Sequence, residues 1–258
     1  LLLLEVGSST AGTGCRISSL ALLDALDWLL GEKGGTPRAD IVNLSLGGPR
    51  YDRAVADSIR RLYRAGVLVV AAAGNFYPEP VFFPASLPEV LAVGATAEDD
   101  RLAPYSARGP ELFVTAPGGA NSEGILSLGC DPGLCREGPY ATMSGTSMAS
   151  PAVSAIAALV KSANRDLTPA GMAGILADSS VDLGPAGFDD LYGYGRVDAF
   201  AAVHRAWNDD GPPGFRLRAP HLDTVVPVLE NFELPFVPFG EFTLEAGSDD
   251  NWNGSLDE

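Results

Sequence analysis

The sequence predicts an α/β fold in which helices cover both faces of a mostly parallel sheet. Three short apolar runs, at residues 1–6, 41–46 and 67–72, have the length and composition of buried parallel strands. Between them lie two predicted helices, at residues 18–32 and 51–65, and the first carries leucines at three- and four-residue spacing. Strands that alternate with helices imply right-handed crossovers and therefore a parallel sheet.

Local signals mark where several of these elements end or begin. The first helix stops at residues 33–35, which read Lys-Gly-Gly, and the second ends at Gly66, a good C-terminal cap residue. Thr168 and Pro169 form a strong helix start, with proline at the first helical position. The remaining predicted elements are strands at residues 90–95, 112–116 and 125–128, and helices after Ser147, near 168–179 and near 197–206.

Length, composition and charge limit the class of protein. A chain of 258 residues can hold one sizeable domain and an extension, and its 46% hydrophobic content is that of an ordinary globular protein. A formal net charge of -16 argues against direct nucleic-acid binding, which favours basic surfaces. No apolar run approaches the ~18–20 residues of a membrane span. We therefore expect no nucleic-acid partner and no membrane span, and we also expect a monomer.

The composition changes after Trp207, and this divides the chain. Residues 209–258 contain eleven acidic and two basic residues together with six prolines. We predict a main domain at residues 1–207, a linker at 208–220 and the start of a C-terminal extension at 221–258.

Three motifs fall where the ligand crevice of a parallel sheet is expected, beyond the carboxyl ends of the strands. Residues 45–48, Ser-Leu-Gly-Gly, follow the second strand, and Gly74-Asn75 follows the third. Residues 144–151 read SGTSMASP and precede a small, apolar helix. Ser147 therefore lies near a helix N-terminus, where free N–H groups and the helix dipole favour a developing negative charge. This segment alone is compatible with a nucleophile or with a helix cap.

These motifs, taken together, resemble those of the subtilisin-like serine proteases. Residues 41–48 read IVNLSLGG, residues 69–75 read VVAAAGN, and residues 144–151 carry the serine motif, all in the family's order. The resemblance covers about residues 1–207. It implies a three-layer subtilisin-like fold and a secreted serine endopeptidase that cleaves protein or peptide substrates through an acyl-enzyme, with no cofactor needed for catalysis.

The resemblance also implies a role for individual residues. Ser147 corresponds to the nucleophile, and the Asn75 side chain and the Ser147 N–H correspond to the oxyanion-hole donors. The residues that would line the substrate cleft are Ser45, Leu46, Gly47, Ala72, Ala73 and Gly74. Glycine at position 47 is expected to leave room for a substrate side chain. Because Phe76 follows Asn75 and no charge stands near these segments, we expect a preference for apolar substrate side chains.

The acid and the base of a serine triad are missing from the expected places. In subtilisins the order along the chain is Asp, His, Ser, whereas His204 and His221 both follow Ser147. We expect His204 to be a surface or partly packed helix residue and His221 to lie in the tail. The chain is thus predicted to be the C-terminal portion of the domain, without the Asp and His motifs and inactive alone.

Two alternatives follow from this gap. The first is a catalytically dead relative that binds peptides in the same cleft. The second is another α/β hydrolase, such as an esterase, in which the nucleophile stands in Gly-x-Ser-x-Gly. Ala149 occupies the position of the second glycine here, which argues against an esterase.

Three cysteines and an acidic terminus provide further signals. Cys130 and Cys135 flank a Pro-Gly pair, so they form either a small disulfide loop in an exported protein or two free thiols. Cys15 is left without a predicted disulfide partner, and no pair of Cys or His residues has the spacing of zinc ligands.

The terminal residues 249–258 resemble the first part of an EF-hand loop, because oxygen-bearing side chains occupy positions one, three, five and nine and Gly254 occupies position six. The predicted structural calcium ligands are Asp249, Asn251, Asn253 and Asp257. An acidic, flexible tail would have the same composition.

Overall fold

The computed structural model describes residues 1–10, 14–31, 35–120, 124–128 and 140–207, together with the backbone of three strands between residues 213 and 248. The Cys130 and Cys135 loop, His221 and the predicted calcium loop at residues 249–258 lie outside the described residues. Among the helices described, none is both long and apolar enough to cross a membrane.

The elements follow one another along the chain as the alternation predicts. The strands are β1 Gly7–Thr10, β2 Gly14–Ile17, β3 Ile41–Leu44, β4 Leu68–Ala72, β5 Val90–Thr96, β6 Leu112–Pro117, β7 Ile125–Leu128, β8 Tyr140–Met143, β9 Pro213–Ala219, β10 Leu222–Pro227 and β11 Thr243–Ser248. The helices are α1 Ser19–Leu30, α2 Arg53–Arg64, α3 Thr146–Ala163, α4 Pro169–Ser179 and α5 Ala199–Ala206.

A parallel four-stranded sheet in the order β3-β4-β5-β6 forms the centre of the molecule. All five residues of β4 are buried, as expected for a strand covered on both faces. Val69 and Ala71 belong to the core that contains the buried side chains of α1 and α2. Leu68 and Val70 belong to the core formed with α3, α4 and α5. The predicted three-layer α/β architecture is therefore confirmed.

Helix ends agree with the sequence signals. Gly66 follows α2 with φ of +92°, a left-handed conformation that glycine adopts without strain. Thr168 caps α4 through a hydrogen bond that its side chain accepts from the Gly171 N–H. Asp52 and Asp198 cap α2 and α5 in the same way. These caps fix the entry points of helices that pack against the sheet.

The expected buried strand at residues 1–6 is wrong. These residues form no strand, and Leu1, Leu2, Leu3 and Leu4 are exposed. Among the described residues, the apolar run pairs with no strand of the central sheet, and β3 remains an edge of that sheet. Without this pairing its leucine side chains stay outside the core. Strand β1 begins at Gly7 and pairs antiparallel with β2.

The stretch predicted as a linker, residues 208–220, contains strand β9 over most of its length. Strand β9 pairs antiparallel with both β10 and β11, and these partners satisfy backbone groups that a free linker would leave to water. The division of the chain into domains at Trp207 stays a prediction.

Candidate active site

The three motif segments meet at the carboxyl ends of β3 and β4. Ser45 follows β3, Gly74 and Asn75 follow β4, and Ser147 lies in the first turn of α3. Reciprocal hydrogen bonds join two of the segments: the Ser45 Oγ donates to the Ser147 carbonyl oxygen at 2.8 Å, and the Ser147 Oγ donates to the Ser45 carbonyl oxygen at 3.3 Å. Residues about a hundred positions apart in sequence therefore form one site.

The Ser147 hydroxyl is held weakly. Its distance of 3.3 Å to the Ser45 carbonyl oxygen is longer than the ~2.5–3.0 Å of a good O–H···O bond. The residue is partly exposed, so a reactant can approach its Oγ. The backbone of the first helical turn beneath it is fixed, because the Thr146 N–H donates to the Asn75 Oδ1 and the Met148 N–H donates to the Gly145 carbonyl oxygen. This combination of a fixed backbone and a loosely held hydroxyl is suited to a nucleophile.

Gly145 makes the turn that places Ser147. Its φ is +156°, and a Cβ at this position would lie 3.1 Å from the Asn75 Nδ2. Its N–H donates to the Gly118 carbonyl oxygen at 2.9 Å. Any side chain at position 145 would be strained and would press on the Asn75 amide, so glycine is required.

The Asn75 side-chain amide is oriented by Thr146. The Asn75 Oδ1 accepts hydrogen bonds from the Thr146 N–H and from the Thr146 Oγ1, both at 2.8 Å. The Thr146 Oγ1 in turn accepts from the Gly74 N–H at 3.1 Å. Since two donors specify the oxygen of the amide, the Nδ2 must be the end beside Gly145. A fixed N–H₂ donor therefore faces the segment that carries Ser147.

A second network, centred on Asn43, ties α3 to β3. The Asn43 Oδ1 accepts from the Ser150 Oγ at 2.7 Å and from the Ser154 Oγ at 3.1 Å. The Asn43 Nδ2 donates to the Ser45 Oγ at 3.0 Å. Because Ser45 then donates to the Ser147 carbonyl, the network positions the first turn of α3 against the end of β3.

Tyr105 supports the other side of the turn. Its hydroxyl donates to the carbonyl oxygen of Gly118 at 2.9 Å, the same carbonyl that accepts from the Gly145 N–H. Burial raises the pKa of Tyr105 to about 12, so its hydroxyl stays protonated and remains a donor.

The predicted cleft segments are held together through residues 82–83. The Phe82 N–H donates to the Ala73 carbonyl oxygen at 2.8 Å, and Gly48 and Phe83 exchange two backbone hydrogen bonds. A Cβ at Gly47 would lie 3.0 Å from the Phe83 carbonyl oxygen and 3.5 Å from the Phe82 Cβ. The space that the sequence suggested beside Gly47 is therefore occupied by the chain itself.

A general base is not found beside Ser147 in the part of the chain that the structure describes. No imidazole or carboxylate there hydrogen-bonds to the Ser147 hydroxyl. His204 is exposed on α5, with its ring stacked on Phe200 at 6.0 Å between centroids. Across the same described residues, no group of three His, Cys, Asp or Glu side chains could hold a metal ion.

Several roles in this site could not be predicted from the sequence. Thr146 and Asn43 lie within recognised motifs, but they act through side-chain partners that lie 71 or more positions away in the chain. Phe82 lies in a segment between the motifs, and the hydrogen bond from Tyr105 to Gly118 has no fixed spacing in sequence. Only their place in the folded chain shows what they do.

Comparisons with known proteins agree with this geometry. A model of the Subtilase family matches residues 4–195. The halolysin-like extracellular serine protease Nep of Natrialba magadii is 38% identical over 192 residues, which are 74% of this chain and 32% of that protein. Subtilisin Savinase of Lederbergia lenta is 34% identical over 198 residues, which are 77% of this chain and 65% of that protein.

A protease from Pseudoalteromonas arctica has a similar structure, with a TM-score of 0.65 and 32% identity over 75% of this chain and 60% of that one. The chain thus spans between about a third and two thirds of the length of these relatives. The matched region contains all three motif segments. The chain belongs to the subtilase family.

Proposed function

We propose that Ser147 is the nucleophile of a serine endopeptidase and that Asn75 stabilises the oxyanion formed on the substrate. The observation that carries this proposal is the Asn75 amide, whose Oδ1 accepts two hydrogen bonds from Thr146 and whose Nδ2 is thereby aimed at the turn before Ser147. A preorganised donor of this kind has no need to reorient when charge develops.

The chemistry proceeds in two displacements. The Ser147 Oγ attacks the carbonyl carbon of a peptide bond and gives up its proton to a base, while the carbonyl oxygen becomes an oxyanion. The intermediate then expels the amine, which takes that proton, and leaves an ester on Ser147 that water hydrolyses. In serine proteases the base is a histidine held by an acid.

Two oxyanion donors are available. The Asn75 Nδ2 is one, and the Ser147 N–H, in the first turn of α3, is the second. Removing the matching Asn side chain in a subtilisin lowers turnover by about 10²–10³.

The substrates that suit this site are extended peptides. Residues 45–47 follow the edge strand β3, and an extended substrate can add to such a segment by backbone hydrogen bonds. Relatives of this chain are named extracellular proteases. We propose protein or peptide substrates and secretion of the whole protein.

The test is peptide hydrolysis by the full-length protein that contains this chain. Cleavage of a denatured protein substrate should disappear in Ser147→Ala and persist in Ser179→Ala, because the Ser179 hydroxyl bonds within α4, away from the site. Equal hydrolysis by the wild type and Ser147→Ala would contradict the proposal. Peptide binding without any turnover by the wild type would indicate a peptide-binding relative instead.

A further inference from the structure

Building on the proposed peptidase function, we propose that Phe82 fills the pocket for the substrate side chain just before the scissile bond, and so restricts cleavage to sites with glycine or alanine there. The residue that precedes the scissile bond contributes the carbonyl attacked by Ser147. Its carbonyl oxygen must reach the Asn75 Nδ2, so its side chain has to lie beside Gly74 and residues 45–47.

The Phe82 side chain occupies the gap between these two walls. A Cβ at Gly74 would lie 3.2 Å from the Phe82 Cγ and 3.3 Å from its Cδ2, so the ring lies directly on the Gly74 backbone. On the opposite wall, a Cβ at Gly47 would lie 3.5 Å from the Phe82 Cβ. The volume beside Gly74 is therefore taken up by the Phe82 ring, and the space beside Gly47 by the Phe83 carbonyl oxygen and the Phe82 Cβ.

Phe76 covers the same ring. The Phe76 and Phe82 rings stack with 5.7 Å between centroids and 21° between planes. Phe76 follows Asn75 directly and is 65% exposed, so the outer ring borders the place where substrate would lie. The two aromatic residues form a plug, which we define as Phe76 and Phe82.

The backbone under the plug is fixed. The Phe82 N–H donates to the Ala73 carbonyl oxygen, and the Phe82 carbonyl oxygen accepts from the Ser86 N–H. The adjacent Phe83 is paired with Gly48 in both directions. The Phe82 backbone is therefore held in place, and a bulky substrate side chain would have to rotate the ring away from Gly74 and from its stack with Phe76.

The experiment compares fluorogenic peptides that differ only in the residue before the scissile bond, with alanine, leucine or phenylalanine there, using the full-length protein. The wild type should cleave the alanine peptide with a kcat/KM about tenfold or more above the phenylalanine peptide, which is the size expected for forcing bulk into a filled site. Phe82→Gly should raise kcat/KM for the phenylalanine peptide about tenfold or more and reverse the preference.

Two further variants test the second ring of the plug and provide a control. Phe76→Ala should relax the preference in the same direction but less, and Phe200→Ala, which removes an exposed ring from α5, should leave it unchanged. A cooperative thermal unfolding transition shows that a variant is folded. The preference of the wild type for the alanine peptide is measured on the wild type alone, so it tests the inference even if a variant fails to fold.

The inference is overturned if the folded wild type cleaves the phenylalanine or leucine peptide as well as the alanine peptide. It is also overturned if Phe82→Gly cleaves all peptides with the wild-type ratio. Both results would leave the peptidase function intact, because cleavage that depends on Ser147 would still be seen. Absence of cleavage of every peptide would instead remove the peptidase function and the inference with it.

Discussion

Replacing Thr146 by valine removes the hydroxyl that organises the site and keeps the shape of the side chain. Thr146 is fully buried, and its Oγ1 donates to the Asn75 Oδ1 and accepts from the Gly74 N–H. The two hydrogen bonds together contribute about 1–3 kcal/mol to the free energy of unfolding. Because the valine variant leaves the partly buried Gly74 N–H unpaired, we expect a loss near the upper end of this range. We expect Thr146→Val to lower the free energy of unfolding by about 2–3 kcal/mol.

Urea unfolding followed by circular dichroism measures this change, with Thr146→Ser as the matched control. Serine keeps the hydroxyl and loses one methyl group, which costs about 1 kcal/mol in a core. The side-chain amide of Asn75 gives a second readout by NMR, since its resonances should broaden or shift in Thr146→Val and stay near the wild-type positions in Thr146→Ser. The reasoning is refuted if the two variants are equally stable, or if the Asn75 amide is unaffected by valine.

Four further predictions follow from the site and the sequence. Gly145→Ala should reduce kcat about tenfold or more, because a Cβ there is strained and presses on the Asn75 amide. An unchanged kcat in steady-state assays would contradict this. Tyr105 has a native pKa of about 12 against about 10 in an unfolded chain, so its contribution to stability is complete below pH ~10 and is lost as pH rises toward 12. Urea unfolding at a series of pH values should show that Tyr105→Phe loses less free energy of unfolding between pH ~10 and ~12 than the wild type does. Peroxide should lower activity through a sulfoxide on Met148 beside the nucleophile; unchanged turnover with that sulfoxide confirmed by mass spectrometry would contradict it. Calcium titration by calorimetry should detect binding that is weakened by Asp249→Asn; identical heats for both proteins would remove the predicted loop.

The positions of the motifs could be predicted because they depend on short-range patterns. Apolar runs and helix spacing define β3, β4 and α3, and parallel strands bring their carboxyl ends to one edge of a sheet. Ser45, Asn75 and Ser147 therefore meet as the order of elements predicts. The prediction required only the kind of each element and its direction.

The interactions that tune the site could not be predicted, because they join side chains without any fixed spacing. Thr146 orients Asn75 across 71 positions of sequence, and Asn43 bonds to Ser150 and Ser154 across more than a hundred. A Cβ at Gly47 would meet the Phe83 carbonyl oxygen at 3.0 Å, in a segment that showed no motif.

One element prediction failed, because an apolar pattern does not specify a pairing partner. An apolar run such as residues 1–6 shows that a segment can be buried but not which strand it pairs with. A proline-rich stretch such as residues 208–220 can still hold a strand when antiparallel partners are present, as β10 and β11 are for β9.

Labelling with a fluorophosphonate tests the central claim, that Ser147 is an activated nucleophile, most directly. An activated serine oxygen attacks the phosphorus of the reagent and displaces fluoride, so the full-length protein should gain one phosphonyl group, located at Ser147 by peptide mapping. Labelling should vanish in Ser147→Ala, slow in Asn75→Ala by about 10²–10³ as an oxyanion donor is lost, and remain in Ser179→Ala. An adduct on another serine, or no adduct on a folded wild-type protein, would contradict the account.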